Sequence, residues 1–204
     1  MTQITRVFSV VTLACFYFAT SFAQQPTPVG IEKRKFKHHG EISSRYDSSL
    51  DKTTVVLNPY RIPIDSMDTN VNPQVFSIMC GFTYKGRKLT GRPETIEFHI
   101  ISDGTHGWKF DSEQKRALSA TIDGERVGIG GMKLIKAKHY AIPSSPVNYG
   151  KDGFLEELYI PLTYEGMFKI ANGTRVILIV GEQRVKLEHE HIEALRDLAS
   201  RMAP

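Results

Sequence analysis

Between positions 76 and 84 the chain alternates with a period of two: Phe76, Ile78, Cys80, Phe82 and Tyr84 stand against Ser77, Met79, Gly81 and Thr83. Successive side chains of an extended strand point to opposite faces, so this run has one strongly apolar face as a strand and none as a helix. It predicts a long strand with Cys80 directed into a core. Ile96, Phe98 and Ile100 repeat the pattern against Thr95, Glu97 and His99, which puts His99 on the opposite, wetter face. The sharpest local signal is Asp123-Gly124, set between Leu118, Ala120, Ile122 on one side and Val127, Ile129 on the other. Asp-Gly readily takes the two positive φ angles of a type I′ turn, so residues 117–129 predict a tight hairpin. Further strands are expected at 53–57, 154–160, 175–180 and 184–187, with Val176 to Val180 apolar on both faces as a central strand is.

Two helical segments interrupt the strands. Thr163 can cap a short helix over Tyr164 to Ala171, with Met167, Phe168 and Ile170 inward and Asn172-Gly173 as its stop. Near the end of the chain Ile192, Leu195, Leu198, Ala199 and Met202 form a stripe at spacings of three and four. Glu188 and Glu190 lie toward the start of that helix and Arg196 and Arg201 toward its end, complementing the dipole. About seven strands without regular strand-helix alternation predict a mainly β fold. The expected architecture is an antiparallel β-sandwich or partly open barrel, with a short helix before the penultimate strand and a C-terminal helix.

The chain of 204 residues is 41% hydrophobic and 24% charged, the balance of an ordinary globular protein. Residues 1–23 read as a signal peptide: Arg6 is the positive n-region, Val7 to Ala19 the apolar h-region, and Ser21-Phe22-Ala23 the cleavage site. That apolar stretch is shorter than the span of about 20 residues a membrane helix needs, and no later stretch is as long. No transmembrane segment is therefore expected after cleavage. The sequence around Cys15 lacks the usual aliphatic residue of a lipoprotein site. Cleavage after Ala23 removes Arg6 and Cys15, leaving 25 Lys and Arg (26 less Arg6) against 22 Asp and Glu. A net charge of +3 is too weak to argue for nucleic acid, and Cys80 alone can form no intramolecular disulfide. Residues 24–45 are poor in apolar side chains and are expected to be a disordered basic linker, leaving 46–204 as a single β-sandwich domain.

Signatures of catalysis are sparse. There is no Gly-x-Ser-x-Gly elbow. Gly81 to Lys88 has the glycine spacing of a P-loop, but Arg87 and Lys88 replace the lysine and the Ser/Thr that phosphate and magnesium require. Asp65, Asp68 and Asn70 offer oxygens without the glycine turn and bidentate glutamate of a calcium loop. His189 and His191 are weak candidates for a metal. Two positions apart on a helix they diverge by about 200°, and only an extended turn would bring them to one face. Glu156 and Glu157 fall on opposite faces of a strand, which separates them as an acid and base pair. No cofactor is implied.

Three kinds of function remain. A non-catalytic module could bind an envelope protein or polysaccharide through Trp108 and Lys109, the only tryptophan lying in a loop rich in glycine and charge; exposed, Trp108 with Tyr84 or Tyr140 could stack on a sugar ring or anchor a protein. Lys33, Arg34, Lys35 and Lys37 would add an electrostatic tether to an acidic surface. A hydrolytic enzyme would need His99, His106 or His139 as base and Asp103 or Asp111 as orienter, brought together only in three dimensions. A metal-binding protein would use His189 and His191.

Ser44-Arg45-Tyr46-Asp47 with Asp51-Lys52-Thr53, Asp123-Gly124-Glu125-Arg126, and Ala194-Leu195-Arg196-Asp197-Leu198-Ala199-Ser200-Arg201-Met202 resemble a group of small exported bacterial proteins of unknown function. The resemblance spans about residues 44–202 and implies a single exported, secreted or periplasmic domain; it brings no activity, cofactor or catalytic residue with it. Export is checked by the intact mass of the protein recovered outside the cytoplasm, which is expected to begin at Gln24.

Overall fold

The computed structural model describes residues 36–63, 74–105, 107–142 and 152–203. In chain order the strands are β1 (Ile42–Asp47), β2 (Lys52–Pro63), β3 (Val75–Lys85), β4 (Ile96–Gly104), β5 (Ala117–Ile122), β6 (Glu125–Gly131), β7 (Lys133–Ala141) and β8 (Asp152–Leu162). Helix α1 (Tyr164–Asn172) then precedes β9 (Val176–Val180) and β10 (Gln183–Leu187), and α2 (His189–Ser200) follows. Two antiparallel sheets form a sandwich and not a closed barrel: β1-β2-β3-β4-β8-β7 and β10-β9-β5-β6.

The period-two runs place the core. On β3, β4 and β8 the inward side chains Phe76, Ile78, Cys80, Ile96, Phe98, Ile100 and Leu158 are almost wholly buried, and Leu118, Ala120, Leu178 and Val180 meet them from the smaller sheet. Each large apolar side chain so buried contributes roughly 1.5–3 kcal/mol. Burial pushes the Cys80 thiol far above its ordinary range, so it stays protonated and inert. As expected, β9 is a central strand, between β10 and β5.

α2 covers the sandwich beside β2 and β10, and α1 lies between α2 and β5. α2 packs its stripe of Ile192, Leu195, Leu198 and Ala199 against β2, β10 and α1. Its first turn is a capping box between Glu188 and His191. Thr163 caps α1, accepting the Gly166 N–H at 3.1 Å. α1 stops at Asn172 for a different reason than a left-handed cap, because Gly173 has φ −61. A Cβ there would sit 2.6 Å from Val176 and 2.8 Å from Ile122, so close packing requires the glycine. Arg196 reaches the same place, donating to the Ala171 and Gly173 carbonyls at 2.8 and 3.0 Å and so joining the two helices.

Two strands depart from expectation. β1 begins at Ile42, within the segment 24–45 expected to be a disordered linker, and residues 36–41 before it are also placed, so the folded unit reaches earlier than residue 46. Its register runs from Ile42 opposite Leu57 to Asp47 opposite Lys52. Backbone pairing with β2 holds it, and side-chain composition does not report such pairing. The chain before it lies along α2: His38 Nε2 is 3.1 Å from Asp197, and Gly40 sits against Leu57, Tyr60 and Ala194. β7 is an edge strand whose Lys133, Lys136 and Lys138 hide its alternation.

Asp123 and Gly124 have φ 52 and 94, the positive pair of a type I′ turn. The Asp123 carboxylate also accepts the Arg175 N–H at 2.7 Å and the Thr174 N–H at 2.9 Å, tying the hairpin to the start of β9. These bonds, the one from Arg175 first, hold Asp123 below the ordinary aspartate range. A carboxyl whose folded pKa is depressed stabilises fully above its unfolded value of about 4 and loses that contribution as pH falls through the folded value. Asp123→Asn, which keeps the left-handed turn, should therefore lose less stability than the wild type between about pH 5 and about pH 2, as measured by urea midpoints.

Candidate functional site

Where β4 ends, the chain leaves the larger sheet and crosses to β5 through the segment that carries Trp108. One carboxyl group fixes this crossing. Glu156 points inward from β8 and is 1% exposed. Its two oxygens accept the backbone N–H groups of Lys109 at 2.7 Å and Phe110 at 2.9 Å. Phe110 beside it is buried, its ring edge-on to Phe76 at 6.3 Å. Arg116 holds the far side, donating to the Phe110 and Asp111 carbonyls at 2.8 and 3.1 Å. A buried polar group without partners is costly, so each of these bonds also satisfies a group that folding removes from water.

The result is an exposed ring on an anchored loop. Trp108 is 40% exposed and stands edge-on to Phe154, with ring centroids 5.0 Å apart. Phe154 shares the Glu156 face of β8 and lies across from His139 on β7, whose ring centroid is 5.1 Å away. His139 Nε2 is 3.1 Å from the exposed Asp152 carboxylate. Trp108, Phe154 and His139 thus form an aromatic strip with Asp152 at one end and the half-buried Lys109 next to its tryptophan.

Of the residues expected to bind, Trp108 and Lys109 belong to this strip. Lys37 is exposed; Lys33, Arg34 and Lys35 lie outside the described residues, as do Cys15, Asp65, Asp68 and Asn70. The two tyrosines considered with Trp108 have other neighbours. Tyr84 stacks on Phe82, and Tyr140 lies over Gly153 with its hydroxyl donating to Asp103 at 2.5 Å. Phe154, which sequence reasoning missed, and His139, expected only as a general base, take their place. The available signal was Phe154 lying two residues before Glu156 on an alternating strand; its cross-strand neighbour is fixed only by the register.

The groups expected for catalysis are separated. His99 is on the outer face of its sheet, with Nδ1 2.9 Å from Glu157 and its ring against Tyr159. An exposure of only 9% at His99 makes that face drier than the alternation suggests. Asp103 accepts from Tyr140, Asp111 pairs with Lys115 at 2.8 Å, and His139 pairs with Asp152. His106 lies outside the described residues. Glu156 and Glu157 do face opposite sides of β8, one bonded to the Trp108 loop and the other to His99.

His189 and His191 are both on the first turn of α2, the arrangement in which they diverge. His191 is 1% exposed and both of its ring nitrogens are engaged: Nδ1 accepts the Glu188 N–H at 3.2 Å, leaving Nε2–H to donate to the Arg61 carbonyl at 3.0 Å. In this arrangement His191 has no lone pair free to ligate a metal beside His189. Among the described residues no group of three or more His, Cys, Asp or Glu is placed to hold a metal, and no helix is long and apolar enough to cross a membrane.

In comparisons with known proteins the chain matches no family model, no curated protein and no solved structure.

Trp108 is the only tryptophan, so its fluorescence reports the loop directly. Glu156→Ala should move its emission to longer wavelength, raise acrylamide quenching and cost roughly 1.5–3 kcal/mol in stability. Glu157→Ala, on the other face, should leave the emission in place.

Proposed function

We propose that the protein is an exported, non-catalytic binding or structural module of the cell envelope that holds its partner at the Trp108 end of the sandwich. The observation that carries this is a large aromatic ring kept 40% exposed on a loop anchored by a buried glutamate. Presenting a ring to water costs the burial it would otherwise gain, and a rigid aromatic spends little conformational entropy on binding. Trp108, Phe154 and His139 offer apolar faces and edges, while Asp152 and Lys109 offer charge, a mixture that suits a polysaccharide or an envelope protein surface.

Hydrolysis is less well supported. His99, His139, Asp103 and Asp111 are each engaged by a different neighbour, and the two histidines lie on opposite faces of the larger sheet. Metal handling at α2 is opposed by the two hydrogen bonds of His191. The leader-like residues 1–23 favour the periplasm or the exterior, in keeping with the resemblance to small exported proteins. The basic residues Lys33, Arg34, Lys35 and Lys37 would strengthen contact with an acidic envelope surface in a salt-dependent way.

The test is retention of the chain from Gln24 onward on purified envelope polysaccharide and on purified envelope protein, each measured with wild type and Trp108→Ala. Retention on one of the two, weakened at least about tenfold by Trp108→Ala at unchanged melting temperature, is expected of an aromatic anchor. Equal retention of the variant, or none by the wild type on either material, would overturn the assignment.

A further inference from the structure

The neighbours of Trp108 restrict what can sit on it. On β7 the side chains of Ala137 and His139 share the inner face of the larger sheet and stand opposite Glu156 and Phe154 of β8. Both are exposed, while Glu156 is buried under the Trp108 loop and Phe154 is half-buried between Trp108 and His139. The inner face therefore ends in a narrow open shelf, which the small Ala137 side chain continues past His139.

The polar groups on this shelf keep bonding capacity. His139 Nε2 lies 3.1 Å from one Asp152 oxygen, and the two side chains are 52% and 62% exposed. That contact leaves the second carboxylate oxygen and the second ring nitrogen without a partner among the described residues. The lysine ion pairs among the described residues are those of Lys115, Lys169 and Lys186, so Lys109 beside the tryptophan has no carboxylate partner there.

A protein surface matches this poorly. Specific protein interfaces bury about 800 Å² on each partner around a core depleted of charge. Among the described residues the large apolar side chains left exposed are Leu50, Trp108 and Ile135. Leu50 lies between β1 and β2, at the opposite edge of the larger sheet from β7, and Ile135 falls in the register shift of β7. Trp108 is thus a single apolar ring among Lys109, His139 and Asp152. A second copy of this end would bring the same lone ring and the same charges, so self-association gains no apolar core either.

Granted that the Trp108 end is the binding surface, we propose that its partner is a polysaccharide, one sugar ring lying on the exposed part of the indole with its hydroxyls bonded to Asp152, His139 and Lys109. A pyranose joins an apolar face of C–H bonds to a rim of hydroxyls that donate and accept, so one aromatic ring and a few polar groups satisfy it. The second Asp152 oxygen and a neutral His139 ring nitrogen accept, and the Lys109 ammonium donates. The open shelf beyond His139 leaves room for the chain to continue past the stacked sugar.

Trp108, as the only tryptophan, reports contact by its own emission. The chain from Gln24 onward is titrated with hexasaccharides of glucose, N-acetylglucosamine and galacturonate, with purified envelope polysaccharide, and with purified envelope protein. Asp152→Ala and Lys109→Ala are titrated alongside, with melting temperatures as the check on folding. The expected result is a saturable change of emission with at least one carbohydrate and none with protein, weakened at least about fivefold by each variant at unchanged melting temperature. A saturable change with protein and none with any carbohydrate would overturn the polysaccharide while leaving the binding end in place. Carbohydrate binding indifferent to both variants would also overturn it. No change with either material would overturn the partner class and the binding end together.

Discussion

Burial of the inward faces of β3, β4 and β8 is the constraint from which the other features follow. Phe76, Cys80, Phe98, Ile100 and Leu158 are at or near zero exposure, and strands cannot reach that state without a second layer over them. The Asp123-Gly124 hairpin and β9 supply most of that layer, but a four-stranded sheet cannot cover a six-stranded one. α2 closes the sandwich beside β2 and β10, and α1 packs on α2 and β5. The opposite end is finished by the crossing from β4 to β5. That is why Glu156, a charged residue type on an inward face, can be buried there: the loop passing over it provides two N–H donors in place of water.

How much was legible in the sequence depended on where the causes lay. β3, β4, the β5-β6 hairpin, β8, β9, β10 and both helices carry their period, turn or cap within a few residues, so local pattern was enough. β1 and β7 are held by pairing to strands already in place. The serines and arginine of β1 and the lysines of β7 suit sheet edges while concealing alternation. Glycine shows the same division. Gly124 was readable because its turn needs positive φ, whereas Gly173 is required by contacts with Val176 and Ile122 that only the folded chain creates.

The candidate site was legible as a single residue and not as a surface. Trp108 stood out as the one tryptophan in a polar loop, but its exposure depends on Glu156, distant in the chain and on another strand. Its aromatic neighbours are set by the pairing of His139 with Phe154, which follows a register shift between Leu134 and Lys136. Counting positions along β7 without that shift would have put His139 on the wrong face.

Most of the groups that suggest chemistry in the sequence are consumed by folding. His191 closes the capping box of α2 and reaches Arg61; His99 pairs with Glu157; Glu156 holds a loop. A side chain whose hydrogen-bonding positions are filled by the protein has none left for a metal or a reacting group. Trp108 is of the opposite kind, its ring left 40% exposed on a loop whose backbone Glu156 anchors. That exposure forgoes part of the burial an aromatic side chain can gain, a local cost that the binding proposed at this end of the sandwich would offset.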